Sequence, residues 1–224
     1  MRGPALPLGL GVLALGVLAL AWGGPLRWAL GASFTGHMAM HMAVVAVAAP
    51  LLALGLAARC PSGGALGRLS GAPVLASAIE FVVIWGWHAP GPHRAARESL
   101  GLMALEQASF LAAATLVWLS CLGAGAAESR PRQAAGILGL LLTSMHMTLL
   151  GALIGLAPRP LYRHEGHPGH AAPAGGEGIP GLTALEDQAL GGVVMLLAGG
   201  GAYLAGGLWL AARLLRDPAP EETR

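Results

Sequence analysis

The sequence has 224 residues, 55% of them hydrophobic and 11% charged, and its mean hydropathy is +0.64. These values lie far outside the range of an ordinary soluble domain and predict an integral membrane protein with an all-α fold. The net charge of +2 is carried without lysine, and the arginines are scattered along the loops, so the charge pattern is not that of a nucleic-acid-binding protein.

The chain contains six hydrophobic segments, most of them near the length of about 20 residues that a helix needs to cross a bilayer. Together they predict a polytopic transmembrane helical bundle of about six spans, in which glycine allows close packing of the helices. In chain order the segments are Leu6–Trp22, Gly36–Ala58, Pro73–His88, Leu100–Leu122, Ala134–Leu156 and Gln188–Leu215.

The first segment has two interpretations. A span is one, but Arg2, the apolar run after it and the triplet Ala19-Leu20-Ala21 also resemble a signal peptide with its small-residue cleavage site. The predicted organisation is a first span or signal-peptide-like segment at 1–24, a helical membrane domain at 25–215 with a histidine-rich outer loop at 158–187, and a polar cytoplasmic tail at 216–224.

The distribution of arginine predicts the orientation of the chain. The N-terminus, the loops after segments 2 and 4 and the C-terminus hold eight arginines, whereas the other three loops hold five. Positive charge is enriched on the cytoplasmic side, so both termini are predicted to be cytoplasmic. Among the histidines only His146 then lies deep in the membrane, and any histidine chemistry is predicted to be extracytoplasmic.

The second segment begins with HMAMHM, which places polar and sulfur-containing side chains at the head of an apolar helix. His37 and His41 are four residues apart and therefore share one helix face, a spacing that lets two histidines bind one metal ion. Met38 and Met42 form a second such pair. Imidazole and thioether ligands favour copper, particularly Cu(I), although interfacial histidines and core methionines also occur without a metal.

Three other segments bring polar groups to the same predicted level. His88 ends the third segment, Glu106 lies about 9 Å below the start of the fourth by the helical rise per residue, and Asp187 begins the sixth. Such a layer fits either a metal site or a hydrogen-bonded polar network, because buried polar groups in lipid need partners. His37, His41, His88, Met38, Met42, Glu106 and Asp187 are the candidate ligands.

A deeper pair of ionisable residues is predicted near the middle of the membrane. His146 lies within a second Met-His-Met run, and Glu80 lies about 12 Å below His88. One interpretation is a structural Glu80–His146 pair that relieves the cost of burial. The other is a further metal-binding step beneath the outer site, which makes His146 a candidate ligand.

The outer loop between the last two segments carries His164, His167 and His170 among glycine and proline. A flexible tract of this kind binds Cu(II) or Zn(II) only weakly, and it is equally well interpreted as a solvated loop of low complexity. No protease, phosphate-binding or nucleophile motif is apparent, so the sequence does not predict an enzyme. Cys60 and Cys121 form no CxxC pair and are interpreted as structural thiols.

Several stretches together resemble the CtaG family of cytochrome c oxidase assembly factors, the integral type linked to caa-type oxidases. The resemblance covers roughly residues 25–210. It lies in the order and spacing of HMAMHMAVVAVAAPLLALG at 37–55, WGWHAP at 85–90, LEQASF at 105–110, LLGALIGLAPRPLY at 149–162 and EDQALGG at 186–192. Where the resemblance leads us to expect histidines near LEQASF, this chain has Met103 and Gln107.

The resemblance implies a multi-span protein of the bacterial plasma membrane that acts with cytochrome c oxidase subunits and handles copper. Three hypotheses follow. The protein holds copper at an extracytoplasmic site and passes it to an oxidase subunit; or it binds haem between His41 and His88; or it is a scaffold without a cofactor. Metal transport through His146 and Glu80 is a weaker fourth idea.

Overall fold

The computed structural model describes residues 5–23, 33–59, 72–122, 130–162, 179 and 181–216, and all regular structure in these ranges is helical. Within these ranges, five helices are long and apolar enough to cross a membrane. The number is six if Pro73–His88 and Pro90–Glu98, which are bent against each other, together form one further span. The predicted all-α bundle of about six spans is confirmed. Cys60, His164, His167 and His170 lie outside the described residues.

Seven helices are present in the described part of the chain. Three spans, Ala5–Gly23, Leu100–Leu122 and Arg130–Gly155, follow the predicted segments closely, although the last begins four residues before the predicted start. The helices are α1 (Ala5–Gly23), α2 (Phe34–Met42, Ala43–Ala48 and Ala49–Arg59), α3 (Pro73–His88), α4 (Pro90–Glu98), α5 (Leu100–Leu122), α6 (Arg130–Gly155) and α7 (Ala184–Val194, Met195–Gly200 and Gly201–Arg216).

The short helix α4 was not predicted, because its sequence PGPHRAARE lacks the apolar run of a span. Ala89 is extended, as the residue before a proline tends to be, and Pro90 then begins the new helix. The chain bends by 71° between α3 and α4. As a result, α4 crosses the end of the bundle instead of continuing through it.

Five helices form a ring in the order α2, α5, α3, α6 and α7, with α7 again in contact with α2 and α5 touching α6 across the middle. Helix α1 packs mainly against α2 outside the ring. The core of the ring contains Met38, Phe110, Trp118, Leu140 and Tyr203, all buried. We call the end that holds the first residues of α2, α5 and α7 the histidine end.

Glycine allows a close backbone contact between α6 and α7. A Cβ atom placed on Gly192 would lie 2.6 Å from the carbonyl oxygen of Gly151, and one on Gly151 would lie 2.8 Å from that of Gly192. No side chain fits at either position. The two backbones therefore approach as glycine pairs allow in membrane helices.

Two helices contain π-helical stretches, Ala43–Ala48 in α2 and Met195–Gly200 in α7. A π-helical turn holds an additional residue and leaves carbonyl groups without their regular helical partners. A side chain of a neighbouring helix donates to one carbonyl oxygen in each stretch: Trp118 Nε1 to Val45 at 3.3 Å, and Ser144 Oγ to Gly200 at 2.8 Å.

Candidate metal centre

The two histidines of α2 lie side by side at the histidine end. The helix begins after Ser33, whose hydroxyl oxygen accepts a hydrogen bond from the backbone N–H of Gly36. The four-residue spacing then stacks the imidazoles of His37 and His41 along one helix face. Their Nε2 atoms are 2.8 Å apart, and both side chains are buried. The predicted convergence of this pair is present in the structure.

Glu106 of α5 completes a group of three possible ligands. Its Oε1 lies 3.7 Å from His37 Nε2 and 3.8 Å from His41 Nε2. In the described part of the chain, this is the one group of at least three histidine, cysteine or carboxylate side chains whose ligand atoms lie within 4.8 Å of one another. Two imidazoles and a carboxylate form a donor set that suits borderline divalent cations such as Cu(II) and Zn(II).

The fit of a cation is supported by the hydrogen bonding of Glu106. Its Oε1 is buried and accepts no hydrogen bond from any described residue, although it faces the two imidazoles. A buried carboxylate oxygen normally has a partner, and a metal ion between these three side chains would supply one. The donor set and the orphaned oxygen therefore both fit a metal ion.

A glutamine contacts the second histidine directly. Gln107 Nε2 lies 2.9 Å from His41 Nδ1 and 3.3 Å from Glu106 Oε2, and its Oε1 accepts a 3.1 Å hydrogen bond from Trp22 Nε1. At this place the family resemblance led us to expect an imidazole. The Gln107 amide instead lies beside His41 and Glu106 and connects them to Trp22 of α1.

His88 of α3 lies next to this group but outside it. Its Nδ1 is 2.7 Å from the carbonyl oxygen of Ile84, to which it donates, so the lone pair is on Nε2. That Nε2 is buried and has no hydrogen-bond partner among the described residues. The rings of His88 and His41 are 5.7 Å apart, and Phe110 packs against both, at 5.9 and 4.6 Å.

Helix α4 covers the histidine end and brings two residues that sequence reasoning did not select. The ring of His93 lies 4.9 Å from that of His37, and Arg97 Nη1 lies 3.5 Å from His37 Nδ1. Only the bend at Pro90 makes this possible. The hydropathy profile gives no sign of it, because His93 and Arg97 lie between two predicted spans.

Tyr162 connects helix α4, which covers the histidine end, to the rest of the bundle. Its hydroxyl donates a 2.7 Å hydrogen bond to the carbonyl oxygen of His88, and its ring contacts Phe34 at 4.5 Å and His93 at 4.4 Å. Burial raises the pKa of the Tyr162 hydroxyl above its ordinary value, which keeps it a donor.

Asp187 was a candidate ligand, but the structure places its carboxylate at the start of α2. Its Oδ2 accepts from the backbone N–H of Phe34 at 2.7 Å, and its Oδ1 accepts from that of Thr35 at 3.1 Å. Two of the N–H groups left unpaired at the beginning of α2 are thereby satisfied. Asp187 therefore fixes the helix that carries the histidines and is not part of the group of three.

Met38 and Met42 are buried on a different side of α2. Met38 packs beside Gly191, where an added Cβ would lie 3.1 Å from its Cγ, and Met42 packs beside Gly199, where the sulfur would be 2.9 Å away. Both glycines belong to α7. The structure thus places the thioethers in the α2–α7 contact, as the alternative of core methionines expected.

The predicted Glu80–His146 pair is wrong. Glu80 accepts a short hydrogen bond from the hydroxyl of Tyr203 on α7. His146 packs edge-on against Phe81 at 5.5 Å, and neither of its ring nitrogens has a hydrogen-bond partner among the described residues. The π-helical stretch in α7 lies directly before Tyr203, a feature of register that the sequence does not reveal. His146 is not brought to the histidine end.

Comparison with known proteins gives one match. The family model described as cytochrome c oxidase caa3 assembly factor (Caa3_CtaG) matches residues 10–217. No curated protein and no solved structure matches the chain. Since the family model spans nearly the whole bundle, including most of α1 and all of His37, His41 and Glu106, the chain belongs to the family of cytochrome c oxidase caa3 assembly factors.

Proposed function

We propose that this assembly factor binds a copper ion between His37, His41 and Glu106 and delivers it to a cytochrome c oxidase subunit. The observation that carries the proposal is the convergence of two imidazole nitrogens 2.8 Å apart with a carboxylate oxygen at 3.7 and 3.8 Å, all buried. His88, whose Nε2 lone pair is turned away from its own helix, is proposed as a further ligand.

Copper is favoured over other cations by chemistry and by the partner. Among divalent first-row metals Cu(II) binds most tightly to a site made of nitrogen and oxygen donors. The family assembles a haem–copper oxidase, so copper is a cargo that the partner requires. With a carboxylate in place of the thioethers, the ligand set suits Cu(II) better than the Cu(I) predicted from the methionines.

We further propose that the histidine end faces the extracytoplasmic side of the bacterial plasma membrane, with both termini in the cytoplasm. The arginine distribution of eight against five supports this orientation. Copper bound under α4 would then lie on the side from which an extracytoplasmic oxidase domain can receive it.

The haem alternative has less support. It requires His41 and His88 to bind one iron from opposite sides of a porphyrin. Their rings are 5.7 Å apart, and the buried side chain of Phe110 packs against both. A porphyrin would have to displace Phe110, whereas a single metal ion would not.

Copper analysis of the purified protein tests the proposal. We expect copper to bind to the wild type and to be lost from the double variant His37→Asn/His41→Asn, while the control His146→Asn, another buried histidine, retains it. Glu106→Gln is expected to weaken binding at least about tenfold, since even outer-shell losses have that effect; Glu80→Gln is its matched control. Equal copper content in the double variant and the wild type would contradict the site. The cofactor-free scaffold predicts instead that the double variant lowers protein abundance as much as oxidase activity.

A further inference from the structure

The orientation of the Gln107 amide is fixed by its neighbours. An indole N–H can only donate, and a carboxylate oxygen can only accept. Trp22 Nε1, at 3.1 Å, therefore requires the amide oxygen on its side, and Glu106 Oε2, at 3.3 Å, requires the amide nitrogen. With both satisfied, the NH₂ group points at His41 Nδ1, 2.9 Å away.

This orientation determines the tautomer of His41. Since Gln107 donates to Nδ1, that nitrogen holds a lone pair, and the proton of the neutral ring is on Nε2. The Nε2–H then donates to His37 Nε2 at 2.8 Å, so His37 has its own lone pair on Nε2. Arg97 approaches His37 Nδ1 at 3.5 Å, the outer limit of hydrogen-bond length, and weighs less in this assignment than the shorter bond from Gln107.

The two histidines are thus prepared differently for a metal. His37 already presents the Nε2 lone pair that a metal ion takes, whereas His41 presents a proton at the same place. We infer that Gln107, held by Trp22 and Glu106, is a positioning residue that keeps His41 in the tautomer whose Nε2 is protonated and cannot bind the metal, so that the site binds copper weakly enough to release it. This inference rests on the proposed function and adds how the copper ion is released.

Metal binding through His41 Nε2 is opposed because it requires the other tautomer of His41, whose Nδ1–H would need a hydrogen-bond acceptor. When a bond forms between the metal and His41 Nε2, the ring proton moves to Nδ1, and no proton is lost overall. A metal-bound histidine normally donates its other N–H to an acceptor. Gln107 supplies one only by rotating its amide half a turn, which would turn its NH₂ toward the N–H of Trp22. Two donors would then face each other, which opposes metal binding.

The tautomer can be measured without any metal. In protein with ¹⁵N-labelled histidine, imidazole ¹⁵N chemical shifts distinguish the two neutral tautomers, and the His41 signals are identified by their loss in His41→Asn. We expect the Nε2–H form in the wild type and a shift toward Nδ1–H in Trp22→Phe. The matched control is Trp87→Phe. This substitution removes an indole on α3 that donates a 2.9 Å hydrogen bond to Ser109 rather than to Gln107.

Affinity gives the second measurement, by titration with Cu(II) against a competing chelator. Trp22→Phe should bind Cu(II) more tightly, because the amide is then free to rotate. Gln107→Glu, which offers an acceptor to Nδ1–H, should tighten binding by at least about tenfold. Adding Trp22→Phe to Gln107→Glu should give no further gain in affinity, because Trp22 acts by fixing the Gln107 amide and that amide is already absent. A gain in affinity does not arise from misfolding.

The outcomes separate the two ideas. An Nδ1–H form of His41 in the metal-free wild type, or unchanged or weaker Cu(II) binding in Trp22→Phe, would overturn the role of Gln107 and leave the copper site standing. If neither the wild type nor any variant binds Cu(II), the proposed function fails and the role in release fails with it, even where the tautomer is as inferred.

Discussion

Asp187 accepts a 2.7 Å hydrogen bond from the backbone N–H of Phe34 and thereby joins the start of α7 to the start of α2. The contact is reinforced by the backbone N–H of Thr35, which donates to the same carboxylate, and by the Thr35 hydroxyl, which donates to the carbonyl oxygen of Asp187. A carboxylate at a helix N-terminus also interacts favourably with the helix dipole. The two helices are therefore fixed in register three residues before His37.

Removing this carboxylate should destabilise the bundle without removing a ligand. Asp187→Ala is expected to cost about 1–2 kcal/mol in the free energy of unfolding, the upper range for loss of a helix cap. Asp187→Asn, which keeps one acceptor oxygen, should cost less. Denaturant unfolding in detergent measures both. Copper content at saturation should equal that of the wild type, and its loss in the well-folded Asn variant would instead make Asp187 a ligand.

The Glu80–Tyr203 hydrogen bond joins α3 to α7 well below His37, His41 and Glu106. Tyr203→Phe removes the hydroxyl that donates to the buried Glu80 side chain, and we expect a loss of about 1–3 kcal/mol in the free energy of unfolding. The loss should be smaller in a Glu80→Leu background, since the carboxylate is then absent. An equal loss in both backgrounds would assign the effect of Tyr203 to packing alone.

His146 should be dispensable for stability. Its ring nitrogens are buried without hydrogen-bond partners among the described residues. Their burial therefore costs free energy that no hydrogen bond offsets. We expect His146→Leu to unfold at the same temperature as the wild type or higher, and His146→Asn, which keeps a polar group there, to gain nothing. A marked drop in the melting temperature of the Leu variant would show that His146 has a polar partner.

Tyr162→Phe should loosen the cover over the site while keeping its ring contacts. Loss of the hydrogen bond to the His88 carbonyl is expected to cost about 0.5–1.5 kcal/mol in unfolding free energy. The pKa of Tyr162 is raised in the folded protein, so the stability from its protonated hydroxyl is fully present below the ordinary pKa of about 10 and is lost only as pH rises through the raised value.

The difference between the wild type and Tyr162→Phe should therefore be constant from neutral pH to about pH 9. Unfolding curves at several pH values measure it. A difference that grows with pH within this range would mean that folding lowers the pKa of the Tyr162 hydroxyl, contrary to its burial.

The sequence predicted the spans well because long apolar runs have few alternatives to crossing a bilayer. The convergence of His37 and His41 was equally accessible, since helical spacing alone puts them on one face. Glu106 was placed at the same level by counting the rise along α5. These predictions depend on features within a single helix or on the length of one.

Predictions that depended on which way a helix faces were less successful. Met38 is only one position from His37, yet it turns toward α7, and Asp187 caps a helix where a ligand was expected. Helix α4 escaped prediction because a polar nine-residue helix bent at a proline has no hydropathy signal. The importance of Gln107 was hidden because an amide is informative only once its three neighbours are known.

The π-helical stretch Ala43–Ala48 divides α2 just below His41 and Met42. If this stretch became regular α-helix with all its residues kept, His37 and His41 would rotate by about 100° relative to Ala53 in the lower half. The imidazoles would then leave Glu106 while the lower half of the helix kept its contacts. The wide turn at Ala43–Ala48 thus sets the direction of the helix face that carries His37 and His41 independently of the packing beneath it.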